Sequence, residues 1–248
     1  MFVDTHCHIH EPSYPLDAVE TLQRARSAGV SQLICVGTSQ DSSQQAVAFA
    51  DAHDDVFASV GVHPHDTKDG YQKIADLTGA KKVVAVGEIG LDYFYTHSPR
   101  ETQISALESQ IDMALRADLP IIFHVREAFD DFWPIFDNFS GIRGELHSFT
   151  DTQHQLEQGL GRGLYVGVNG ISTFTKDAAQ QKMFTSIPLN RLLLETDAPF
   201  LTPVPLRGKV NEPAFVRNVA DFQARGRGLQ IDEIAAATTA NATALFAL

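Results

Sequence analysis

The run KVVAVGE at Lys82–Glu88 sets the frame for the whole chain. Val83, Val84, Ala85 and Val86 are apolar without alternation. A strand of this kind is buried on both faces, as in a parallel sheet covered by helices. Glu88 closes the run with a carboxylate. Outward from it lie seven comparable runs: FVDTH (2–6), QLICVG (32–37), VFASVG (56–61), PIIFHV (120–125), RGELHS (143–148), LYVGVN (164–169) and RLLLETD (191–197). Amphipathic segments fall between and after them: 15–29, 41–53, 101–118, 126–139, 213–226 and 232–248. Eight strands alternating with helices predict an α/β chain of the (β/α)₈ TIM-barrel type, one domain over residues 1–248, in preference to an open doubly wound sheet.

Composition narrows the classes. The chain has 248 residues, 44% of them hydrophobic and 20% charged, which is ordinary for a globular protein. No apolar run approaches the roughly 18–20 residues that span a bilayer, and no basic-then-apolar leader opens the sequence. The expectation is a cytoplasmic protein with no membrane partner. Two cysteines, Cys7 and Cys35, make no disulfide framework. A net charge of −12 argues against a general nucleic-acid binder. Bound divalent cations are the exception, because they make a site positive on an acidic surface. The glycines of GLGRGLYVG (159–167) lead from a helix into a strand, the reverse of a dinucleotide fingerprint, and read as a helix stop.

The polar residues fall in a pattern. In VDTHCHIH (3–10), His6, His8 and His10 alternate and share a strand face with Asp4, whereas Cys7 faces the other way into packing. His63 follows the third strand, Glu88 ends the fourth, His124 the fifth and His147 the sixth, and Asp197 ends the eighth. In a barrel of this kind the C-terminal strand ends converge on one mouth. Imidazoles and carboxylates without thiolates suit zinc, manganese or a similar ion. His6 and His8 can grip one ion from one strand, and His124 and His147 can hold a second. Glu88 is placed to bridge both. Asp197 can bind the first ion and take a proton from water. Two such ions activate water and clamp a phosphoryl or acyl oxygen, the chemistry of a hydrolase. His10, His53, His65, His97 and His154 read as loop or surface residues.

The segments DTHCH, GVHP, VGEIGLDY, HVREA, HSF, LLLETDAPFL and PLRGKVNEP occur in an order that resembles the TatD family of metal-dependent deoxyribonucleases, from about residue 3 to the C-terminus. The resemblance implies metal ligands at His6, His8, Glu88, His124, His147 and Asp197, in two sites sharing Glu88. It implies two divalent ions, magnesium, manganese or zinc, and exonucleolytic attack on DNA from a 3′ end. The expected substrate is single-stranded DNA or a 3′ terminus, and the expected state is a monomer. Asp151 stands where the family's HSFTG element has glycine, and His10 adds a donor beyond the family's first motif. Further contacts are left open between two roles. His63 donates to a phosphate or anchors the loop after Pro64. Arg126 clamps a phosphate through its two-pronged edge or pairs with a neighbour. Arg207 and Lys209 track a nucleic-acid backbone or neutralise Glu212. Glu195 faces the interior with Asp197 and orients a ligand or water. The alternative activity is hydrolysis of an ester or amide, such as removal of an amino acid from tRNA, since the fold does not choose between these bonds.

Overall fold

A computed structural model describes residues 1–95 and 97–248. Among the described residues, eight strands run in the order β1 to β8: Phe2–Cys7, Val30–Val36, Val56–Val60, Val83–Asp92, Ile121–Arg126, Gly144–Leu146, Tyr165–Val168 and Leu192–Leu194. The α-helices α1 to α9 are Ala18–Ser27, Gln40–Asp51, Arg100–Arg116, Phe129–Asp137, Gln153–Gly161, Ile171–Phe174, Ala178–Ser186, Val216–Arg227 and Ile231–Phe246. All eight expected strands are present. Helix α5 ends within the glycine stretch read as a helix stop, whereas α6 and α7 were not anticipated; they are short, and their apolar stripe is thin. The chain forms two compact units, one of residues 1–34 with 148–248, the other of residues 35–147.

In the first unit, α1 starts where Asp17 accepts from the Glu20 N–H, satisfying one of the free donors of the first turn. Gly29 follows its end at φ 88°, a conformation that costs a residue with a Cβ. Strand β1 is buried throughout and is held to the end of β8 and the residues after it. The Thr5 hydroxyl donates to the Leu194 carbonyl, Asp197 N–H to the His6 carbonyl, and His8 N–H to the Ala198 carbonyl. Helix α9 ties this edge down through Asn241, whose amide donates to the carbonyls of Leu189 and Leu192 at 2.8 Å each.

In the second unit, β3, β4, β5 and β6 pair in parallel. Strand β4 is ten residues long and fully buried, so Glu88 lies inside it and Asp92 at its end. This corrects the expectation that Glu88 closes the strand. GEIGLD continues the buried pattern because Ile89 and Leu91 keep the apolar alternation going past the carboxylate. Gly90 pairs with His124, and a Cβ on it would lie 1.7 Å from the His124 carbonyl oxygen. Only glycine lets β4 pass β5 this closely at the histidine. Helix α4 covers β5 with Phe132, whose ring meets Phe123 edge-on at 5.1 Å. Helix α3 presents two buried glutamines two turns apart on one face. The Gln110 amide clamps both backbone groups of Val62, and Gln103 does the same for Asp92. These two side chains set the segment that follows β3 and the end of β4.

Candidate metal centre

The first unit gathers three of the expected ligands. His6 Nε2 and His8 Nε2 stand 3.2 Å apart, and Asp197 Oδ1 lies 3.9 Å from the first and 3.3 Å from the second. Two imidazole nitrogens facing each other and one carboxylate oxygen form a donor set that a single divalent cation satisfies. The residues present therefore fit such an ion. Alternation along β1 turns His6 toward this point, and Asp197 reaches it from a backbone held at φ 56°. Asp4, on the same face of β1, does not join. It is buried and accepts from Thr196 N–H at 2.8 Å and the Thr196 hydroxyl at 2.6 Å, fastening β1 to the segment that carries Asp197. Burial pushes its carboxyl well above the usual range.

Glu195 is also buried; its Oε1 accepts from the Ser148 N–H and from the Asn169 amide. It thus holds the residue that follows His147. Arg207 and Lys209 are exposed. The Arg207 guanidinium lies 3.9 Å from the Phe174 ring centre, and one of its arms donates to the Thr202 carbonyl. Glu212 is paired with Arg24 at 2.6 Å, so its neutralisation comes from α1 and not from the Arg207–Lys209 loop. His10 is buried in the turn after His8, and Asp151 caps the next residue's N–H.

The second unit gathers the others. Glu88 Oε2 lies 3.4 Å from His124 Nδ1 and 3.6 Å from His147 Nε2. The far side of the His124 ring meets a carboxylate that sequence reasoning had not singled out: Asp92 Oδ2 is 3.2 Å from His124 Nε2 and 3.0 Å from His65 Nε2. His65, expected at the surface, is drawn in by this bond. Burial opposes a charge on His124, but its bonds to Asp92 and Glu88 prevail and hold its pKa up to about 9. The negative field that retains a proton here also favours a divalent cation. Burial of Asp92 raises its pKa, but the bonds from His124, the Tyr95 N–H and His65 outweigh this and leave it below the usual carboxylate range. His63 packs its ring edge-on to His124 with 4.3 Å between centres, and its Nδ1 accepts from the His65 N–H. Burial lowers its pKa well below the usual imidazole value, which favours the neutral ring. The signal for Asp92 was present in the sequence, since the buried pattern of β4 runs through Leu91 and ends on it.

The family described as TatD related DNase matches residues 3–247. This chain belongs to that family. It is a TatD-family metal-dependent hydrolase. It is 35% identical to YabD of Bacillus subtilis (strain 168), described as an uncharacterized metal-dependent hydrolase, over 99% of both chains. It is 34% identical to the 3′-5′ ssDNA/RNA exonuclease TatD of Enterobacter lignolyticus (strain SCF1), over 98% of both. Among solved structures, YJJV, a TatD homolog from Escherichia coli K12, superposes with a TM-score of 0.92 at 31% identity, covering all of this chain and 98% of that one. The fold class of this TatD-family chain is the (β/α)₈ barrel. Among the described residues, no helix is long and apolar enough to cross a membrane.

Proposed function

We propose that this chain is a two-cation nuclease that shortens single-stranded DNA from its 3′ end. The observation that carries the reading is the convergence of His6 Nε2, His8 Nε2 and Asp197 Oδ1 on one point. In this reading His6, His8 and Asp197 would hold one ion, and Glu88, His124 and His147 would hold the other. When bound, the ions supply positive charge that polarises the phosphoryl group and makes water acidic.

The chain's own residues do the rest. Asp197 accepts the proton of the attacking water at its carboxylate. Asp92 fixes the His124 ring so that Nδ1 faces Glu88, a carboxylate–histidine arrangement that raises ligand basicity. Glu195 orients the Ser148 backbone beside His147. His63 presents a neutral ring toward substrate, and Arg126, Arg207 and Lys209 supply cationic contacts to phosphates. Magnesium, manganese and zinc all suit this mixed nitrogen and oxygen set. The relative from Enterobacter lignolyticus, named for single-stranded DNA and RNA, supports the substrate class. The reading places the enzyme in the cytoplasm as a monomer of one domain over residues 1–248; a chain with only two cysteines, both buried, accords with a reducing compartment.

The test is incubation of end-labelled single-stranded DNA with the manganese-loaded protein and with Asp197→Ala. Progressive shortening from the 3′ end by the wild type alone is expected. Equal inactivity of both proteins on DNA, with turnover of an aryl ester or an aminoacyl-tRNA by the wild type, would transfer the site to acyl chemistry.

A further inference from the structure

The residues just past β4 set two aromatic rings beside Arg126, the last residue of β5, and the reading above gives those rings no role. Phe94 is 48% exposed and Tyr95 43%, in a chain that buries most of its large apolar side chains. The two rings meet edge-on at 4.6 Å. The Arg126 guanidinium lies 4.0 Å from the Phe94 ring centre and 5.1 Å from that of Tyr95. His97 stacks on Tyr95 with 15° between planes and 5.7 Å between centres. Among the described residues Arg126 has no ion pair. Its face is occupied by aromatic rings, and its nitrogen edge is left for a ligand.

This surface is built and anchored. Asp92 Oδ1 accepts from the N–H groups of both Phe94 and Tyr95 at 3.0 Å. The Tyr93 N–H donates to the Arg126 carbonyl, and the Tyr93 hydroxyl donates to Asp131 at 2.7 Å. The other oxygen of Asp92 holds His124 and His65. One carboxylate therefore sets both the aromatic pair and a candidate metal ligand.

We propose that Phe94, Tyr95 and Arg126 form a base-stacking subsite for an unpaired nucleotide of the substrate strand. Arg126 presents its edge to the adjoining phosphate. The proposal rests on the nuclease reading and extends it to how the strand is held. Charge strengthens the argument. At a net charge of −12 the chain gains little from general attraction to a polyanion, so affinity must come from local contacts. Aromatic stacking is the contact that every base can make whatever the sequence, and a guanidinium adds to it. A base within a duplex has its faces covered, so the subsite selects single strands and frayed ends.

The test uses the manganese-loaded full chain mixed in a stopped-flow instrument with an oligonucleotide carrying 2-aminopurine near its 3′ end. Stacking quenches this base before turnover. The wild type is expected to quench it, and to show a KM roughly ten- to a hundred-fold lower for the normal strand than for a strand abasic at that position. The Phe94→Ala/Tyr95→Ala variant is expected to lose both effects while keeping its melting temperature and its kcat at saturation. Phe94→Tyr is expected to keep them, and Arg126→Lys to weaken the quenching although the charge remains. Unchanged quenching in the double alanine variant overturns the subsite, as does equal KM for normal and abasic strands. In both those cases cleavage by the wild type leaves the nuclease reading standing. Quenching that the alanines abolish, in a wild type that never cleaves DNA, would keep the subsite and remove the nuclease reading.

Discussion

Asp92 stands on the far side of the His124 ring from Glu88, with its carboxylate 3.2 Å from Nε2. His124 is thereby gripped at both nitrogens, and its Nδ1 is aimed by a residue that need not touch a metal ion. Histidine ligands held this way depend on the outer partner nearly as much as on their own lone pair. Asp92→Asn keeps the size of the side chain and removes its charge. The expected result is a roughly 10- to 100-fold loss of manganese affinity, read by calorimetric titration, with the melting temperature of the metal-free protein less affected.

Asp197→Ala and Glu88→Ala remove a carboxylate from each donor group. A fall in kcat of roughly 10³-fold or more is expected for each, on any substrate the wild type hydrolyses, because both proton acceptance and cation binding are lost. Ion counting on the purified variants checks the assignment, with about one ion fewer per chain than the wild type. His154→Ala, at an exposed position, is the matched control and should leave both readouts unchanged.

Gly90→Ala tests the close passage of β4 over β5. The added methyl would lie 1.7 Å from the His124 carbonyl oxygen, a distance that forces the strands apart. Overpacking against backbone has no flexible side chain to absorb it. A loss of at least about 3 kcal/mol is expected, measured by denaturant unfolding. If the variant matched the wild type in stability, the tight pairing at His124 would be refuted.

Alkaline stability should depend on Tyr14. Burial pushes its phenol from the ordinary 10 up to about 12, and its hydroxyl donates to the Asn211 carbonyl at 3.2 Å. The folded value lies above the unfolded one, so the contribution is complete below about pH 10 and is lost as the pH rises toward 12. Burial and the neighbouring Asp131 push Tyr93 in the same direction. Phenolate absorbance should lag for these two tyrosines, and Tyr14→Phe should flatten the decline of melting temperature over this window.

The strands of this protein were legible in the sequence because a parallel sheet buried on both faces leaves unbroken apolar runs, and eight of those runs recur. The same runs placed His6, His8, His124, His147 and Asp197 near strand ends, since a polar side chain ends such a run wherever it falls. Glu88 shows where this reasoning stops. The unbroken apolar run stops short of it, yet β4 continues to Asp92, because a carboxylate turned toward partner histidines does not interrupt the strand. The bonds of Asp92 to His124, His65 and the Phe94–Tyr95 backbone were not legible, nor were the clamps of Gln103 and Gln110. They join groups that are distant in sequence, and no periodicity records which acceptor a side chain meets. Residue type and spacing therefore determined the elements and the donors. Tertiary structure alone decided which carboxylate aims which imidazole, because that depends on strand register and on the approach of β4 to β5 that Gly90 permits.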